Sequence, residues 1–250
     1  MGNDFFRFKQ FVVRQGGAAM KVGVDSVLLG AWADAGNTVR ILDVGAGTGL
    51  LALMMAQRYR DALIDAVEID DEAYRQACEN VNSSPWSSRI SVICDDFLEY
   101  AEQCPFYYDL IISNPPYFTA SFKPLNDKRD VARHNDSLPH RQLLMKSTKL
   151  LNSTGVLAVV LPPVEATALI DEAATCGLFV KRTLHVQSLP SKPVYRMLVE
   201  LSKKSPLYGG DRVGEGSFPP DEKNLCIEKE DRSDFTDEYK QLTGDFYLKF

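Results

Sequence analysis

No stretch limits the possible folds as tightly as Asp43-Val44-Gly45-Ala46-Gly47-Thr48-Gly49. It joins the apolar run Val39 to Val44 to the helically periodic run Leu50 to Arg60, so a strand must turn through glycines straight into a helix. Glycines leave bare backbone at the strand end and the helix N-terminus, where a nucleotide-like ligand can approach closely. A tight strand-to-helix turn with no ligand is the plainer alternative. Acids at the ends of the following strands favour the ligand.

The same alternation continues along the chain. A second strand spans Ala62 to Glu68, followed by a helix from Asp71 to about Val81 and a turn through Ser83-Ser84-Pro85. A third runs from Ile90 to Cys94, ending at Asp95-Asp96, and a fourth from Tyr108 to Ser113. After it comes a loop from Phe118 to about Ser137, of a length that is uncommon unless it serves function. A helix over Leu138 to Leu151, a strand over Val156 to Leu161 and a helix over 164–176 resume the pattern. Phe179 to Val186 and Val194 to Leu201 close it as an antiparallel pair. Strands alternating with helices over 39–186 predict an α/β, doubly wound sheet, mostly parallel with an antiparallel last strand.

The flanks read differently. Residues 5–14 are aromatic and β-branched, and Gly16-Gly17 then turns the chain toward Ala18 to Val22, which predicts an N-terminal hairpin. Asp25 is placed to cap a helix carrying Val27, Leu28, Leu29, Ala31 and Trp32. From Ser202 to Asp234 the composition turns to Lys, Gly, Pro, Asp and Glu, as in a loose surface arm, and Phe235 to Phe250 reads as a short helix packed back on the body. One domain over 1–250 is expected: hairpin and helix at 1–36, catalytic core at 37–201, C-terminal arm and helix at 202–250.

Composition excludes some classes. No run approaches the roughly 20 apolar residues that cross a bilayer. The first residues lack a secretory pattern, which points to the cytoplasm. The five cysteines are scattered without a C-x-x-C pair, so neither a disulfide framework nor a metal site is indicated. A net charge of −6 argues against a polyanionic partner, yet 1–21 sets Arg7, Lys9, Arg14 and Lys21 against Asp4, and 123–149 is also basic.

The glycine spacing is G-x-G-x-G with Asp43 two residues ahead of Gly45, unlike G-x-G-x-x-G, and no Lys-Ser/Thr follows for a phosphate loop. A carboxylate beside Gly45 and Gly47 repels a pyrophosphate and suits a cation, which favours S-adenosyl-L-methionine. Glu68, about twenty residues on, is placed for ribose hydroxyls, and Asp96, ahead of Asp95, for an adenine amino group. After the fourth strand stands Asn114-Pro115-Pro116-Tyr117. Two prolines fix a stiff turn without backbone donors, and an amide, a carbonyl and an aromatic face there suit a planar ring bearing an amino group.

Together these residues resemble the S-adenosylmethionine-dependent methyltransferases that act on amino nitrogens. Phe8-Lys9-Gln10-Phe11, Lys21-Val22-Gly23 with Asp25, Leu28 to Ala33, Ile111 to Tyr117 and Tyr239 to Phe250 look like the bacterial tRNA(Val) adenine N6-methyltransferases, which modify the adenine beside the anticodon. Val24 departs from that likeness, standing where a Thr is expected. The resemblance implies a Rossmann-like methyltransferase, with the Asn114 side-chain oxygen and Pro115 carbonyl accepting both N6 hydrogens and Tyr117 stacked on the base. Lys21 and Asp25, near the cofactor mouth, and Arg133 and His134, in the long loop, are candidate substrate contacts. The same loop also suits a protein glutamine amide, as in N5-methylation of a release factor. A non-catalytic nucleic-acid module on a methyltransferase fold is the third reading.

Overall fold

The structure, a computed structural model, describes residues 4–16, 21–34, 36–116, 138–203 and 220–250. In chain order its elements are β1 (Phe5–Arg7), β2 (Val12–Arg14), α1 (Val24–Trp32), β3 (Arg40–Val44), α2 (Leu50–Arg58), β4 (Leu63–Glu68), α3 (Asp71–Asn82), β5 (Ile90–Cys94), α4 (Phe97–Gln103) and β6 (Tyr108–Ser113). They continue with α5 (His140–Leu150), β7 (Leu151–Leu161), α6 (Pro163–Ala173), β8 (Phe179–Gln187), β9 (Val194–Ser202), β10 (Asp221–Cys226) and α7 (Asp237–Thr243). Eight of the described strands form one sheet in the order β10-β8-β9-β7-β6-β3-β4-β5. All neighbours are parallel except that β9 runs against both β7 and β8. The doubly wound sheet and its antiparallel strand are as the alternation predicts.

Strand order places the site. From β3 the chain steps outward to β4 and β5, then crosses back to lay β6 on the other side of β3. The carboxyl ends of β3 and β6 therefore flank a topological switch point, where open α/β sheets leave a crevice. Both faces of the sheet are covered. Ile41, Ile64, Leu110 and Ile112 join one core with α1, α2 and Phe246, while Leu42, Val44, Ile111 and Val159 join a second with Leu143, Leu144, Ala166 and Leu169 of α5 and α6. Burial on both faces is why these strands read as continuous apolar runs.

Four expectations need correction. The hairpin does not turn at Gly16-Gly17: Phe5 pairs with Arg14 and Arg7 with Val12, and the turn lies at Phe8 to Phe11. Phe8 and Phe11 are buried and stacked at 4.6 Å, and the Phe8 amide donates to the Phe11 carbonyl at 2.9 Å, so burying two rings decides the turn. Asp25 does not cap α1, which starts after Gly23 without a side-chain cap; the Asp25 carboxylate instead pairs with Arg196 at 2.7 Å. Part of the supposed arm belongs to the sheet, because β10 adds parallel to β8 and buries Leu225. A short helix, α4, follows β5 without having been anticipated. Tyr239 of the C-terminal helix and Phe246 beyond it lie in the same core as Phe8.

Candidate active site

The glycine turn is pinned to β4 from two directions. Gly45 and Ala46 donate their amides to the Val67 carbonyl at 2.9 and 3.1 Å, and Gly47 donates to Oε2 of Glu68 at 2.7 Å. Gly45, Gly47 and Gly49 have φ of 71°, 56° and 78°, a left-handed backbone that other residues adopt only with strain. A Cβ built on Gly45 or Gly47 meets nothing within 4 Å. Packing therefore does not demand glycine at these two positions; conformation does, and open space beside the turn is what a ligand lying on the backbone needs.

Two buried carboxylates stand at the ends of the strands that carry the turn. Glu68 is nearly buried and holds Gly47 on one oxygen and the Asp70 amide on the other, at 2.9 Å. Each oxygen keeps a second lone pair, which fits it to the two hydroxyls of a ribose. Asp43 is fully buried, and its Oδ2 accepts from the Ala52 amide at 3.0 Å. Its Oδ1 is buried with no partner among the described residues. Burial pushes the Asp43 carboxyl up to about 7, with the Ala52 bond pulling it down and the Glu68 charge pushing it further up. An orphaned acceptor of this kind calls for a donor or a cation.

The third acid is also beside this group. The Asp95 amide donates to the Glu68 carbonyl at 3.1 Å, and Asp96 is the N-cap of α4, accepting from Leu98 at 2.7 Å. Asp70 likewise caps α3 through the amides of Glu72 and Ala73.

Across the switch point, the Ser113 hydroxyl donates to the Val44 carbonyl at 2.8 Å, tying the last residue of β6 to the last of β3. Asn114 therefore emerges directly beside the glycine turn. It is half-buried, with Pro115 buried and Pro116 exposed behind it. Its Nδ2 donates to the Ser26 hydroxyl in the first turn of α1, at 2.8 Å. That bond holds the Asn114 side chain against α1. Ser26 carries no sequence signal of function; only tertiary contact brings α1 to Asn114.

Asp43, Gly45, Gly47 and Glu68 are thus gathered with Asp96 and Asn114 at the strand ends. Lys21 is exposed, and Asp25 serves as the anchor of α1 on Arg196 of β9. Tyr117, Arg133 and His134 lie outside the described residues. Among the described residues no three His, Cys, Asp or Glu side chains gather as metal ligands, and no helix is long and apolar enough to cross a membrane.

A family model for the methyltransferase small domain matches residues 19–172. The tRNA1(Val) (adenine(37)-N6)-methyltransferase of Trichodesmium erythraeum is 45% identical over 252 residues, covering 100% of both chains. Those of Parabacteroides distasonis and Photorhabdus laumondii are 44% and 40% identical, over 100% and 99% of this chain and 100% and 96% of their own. Among solved structures, the "predicted O-methyltransferase" Atu636 of Agrobacterium tumefaciens superposes with a TM-score of 0.63 at 20% identity, covering 89% of this chain and 96% of that one. TrmN from Thermus thermophilus gives 0.52 at 20% identity, over 72% of this chain and 48% of its own. At that identity these structures establish the shared fold alone.

Proposed function

The chain belongs to the tRNA1(Val) (adenine(37)-N6)-methyltransferase family, and from that premise we propose that it methylates N6 of the adenine beside the anticodon of a valine tRNA, with S-adenosyl-L-methionine as donor. The observation that carries the residue assignment is the Ser113–Val44 hydrogen bond, which sets the Asn114 turn against the glycine turn at the switch point. Cofactor and base then meet where the two turns face each other.

The residues present fit the cofactor. The open backbone at Gly45 and Gly47 receives its body, Glu68 its ribose, Asp96 its adenine and the orphaned Asp43 oxygen its cationic part. When bound, it supplies an electrophilic methyl group on a positively charged sulfur.

The remaining chemistry is positioning. The N6 lone pair of adenine is delocalised into the ring and is a weak nucleophile. The Asn114 oxygen and the Pro115 carbonyl accept the two amino hydrogens, which favours a pyramidal nitrogen with its lone pair directed at the methyl group. Proline cannot donate through its own nitrogen, so neither Pro115 nor Pro116 offers a backbone donor to compete. Ser26 holds the Asn114 side chain against α1, so the amide is positioned before the base arrives. One N6 proton becomes acidic only as the nitrogen–carbon bond forms and leaves to solvent, so no strong base is required beforehand. Tyr117 stacks on the base, which has to be splayed from its loop to reach the turn.

The test is transfer of labelled methyl from S-adenosyl-L-methionine, with unmodified valine tRNA in one reaction and a translation release factor in another. Label is expected in the RNA alone. Label in the protein alone would move the assignment to a glutamine amide.

A further inference from the structure

The outer face of the N-terminal hairpin takes no part in the site above. The β1–β2 register sets Phe5 opposite Arg14 and Arg7 opposite Val12. Alternation along each strand sends these four to one face and Phe6 and Val13 to the other. All four are exposed, Phe5 by 46%, whereas Val13 is buried. Between this face and the C-terminal end of α3 lies a groove of about 820 Å³, lined by Phe5, Arg7, Arg14, Asn80, Ser83 and Ser84 among others. None of its described lining residues is a carboxylate, although the chain as a whole carries a net charge of −6.

The groove is joined rigidly to the cofactor turn by one residue. The Asn80 side chain accepts from the Arg14 amide at 2.8 Å and donates to the Arg14 carbonyl at 2.9 Å. The Asn80 Nδ2 also donates to the Thr48 carbonyl, inside the glycine turn, at 2.9 Å. Whatever lies in the groove is therefore held at a fixed distance from the reaction centre.

Guanidinium groups, the Ser83 hydroxyl and an exposed ring in one groove match the phosphates and unstacked bases of a single-stranded RNA segment. We propose that this groove receives the tRNA strand that flanks the methylated adenine, with Arg7 and Arg14 on its phosphates and Phe5 stacked on an unpaired base. The proposal rests on the RNA substrate argued above. It also explains how an acidic protein holds a polyanion: the positive charge is local and lies beside the cofactor turn.

Steady-state methylation of unmodified valine tRNA by the full chain, run at several salt concentrations, tests it with R7A/R14A, R7K/R14K and F5A. The double alanine variant is expected to raise KM for tRNA about tenfold or more, with kcat and cofactor affinity within about twofold of wild type. Its salt dependence of binding should flatten by roughly 0.7–0.9 in log–log slope per lost phosphate contact. The lysine pair should keep the wild-type slope, and F5A should raise KM about fivefold or more through lost stacking. Wild-type KM and slope in R7A/R14A would overturn the proposal, as would a dimer that R7A/R14A dissolves while the KM stays put. If wild type methylates no tRNA, the substrate reading has failed. The groove is then judged by tRNA binding alone, where equal affinity of wild type and R7A/R14A overturns it.

Discussion

The Asn114 side chain donates through Nδ2 to the Ser26 hydroxyl at 2.8 Å, across 88 residues of sequence. The bond fixes where the amide stands relative to the glycine turn, so the acceptor is in place before the base arrives.

Ser26→Ala should therefore lower kcat about 5- to 30-fold, the equivalent of roughly 1–2 kcal/mol for one hydrogen bond, with KM for tRNA and cofactor affinity little changed. Ser26→Thr should restore most of the loss. Steady-state kinetics on the two variants check this; a wild-type kcat in Ser26→Ala would remove Ser26 from the account.

Glu68 holds the Gly47 and Asp70 amides on its two oxygens. Glu68→Gln replaces one acceptor by an NH2 that faces a backbone donor, so one bond turns repulsive. Calorimetry should show cofactor affinity falling about 10-fold or more, corresponding to roughly 1.4 kcal/mol or above.

The buried Asp43 carboxyl, pushed up to about 7, carries a pH signature whose sign follows from linkage. Between the ordinary carboxylate range and about 7 the folded cofactor-free protein keeps a proton that the unfolded chain has released. Stability at this group accordingly falls as pH rises through that window, by at most about 1.4 kcal/mol per pH unit. Asp43→Asn should remove that slope and raise Tm at neutral pH. It should also weaken cofactor binding, and wild-type cofactor affinity should rise from pH 6 to about 8 as the carboxylate forms. Thermal melts and binding isotherms across pH read both effects.

Asn80 is buried and makes three hydrogen bonds that link β2, α3 and the glycine turn. Asn80→Ala leaves the buried Thr48 carbonyl without this partner, which costs about 1–3 kcal/mol, and also removes two part-buried bonds to the Arg14 backbone. Urea unfolding should show that loss, and cofactor affinity should fall with it because Thr48 is no longer held.

The sheet was legible because its strands are buried on both faces: the apolar stretches within β6 and β7 stand out as continuous runs with Gly and Pro at their edges. The glycine turn, Glu68 and Asn114 were legible because their chemistry is local to a strand end. What escaped notice depended on tertiary competition. The glycine pair at 16–17 advertised a turn, but burial of Phe8 and Phe11 places the turn between those rings. β10 reads Asp-Glu-Lys-Asn-Leu-Cys because it is an edge strand with little buried surface, and a charged edge looks like a loop. For α4 the signal was present, since Asp96-Phe97-Leu98-Glu99 has an N-cap acid followed three residues later by Glu. Ser26 and Asn80 act through partners 88 and 66 residues away, and no local pattern could reveal either.

The most direct measurement is a nucleoside digest of unmodified valine tRNA after incubation with S-adenosyl-L-methionine and either the wild-type chain or Asn114→Ala. The account predicts N6-methyladenosine with wild type and at least about 100-fold less with Asn114→Ala, while cofactor affinity stays within a few-fold. No N6-methyladenosine with wild type, or an undiminished yield with Asn114→Ala, would contradict it.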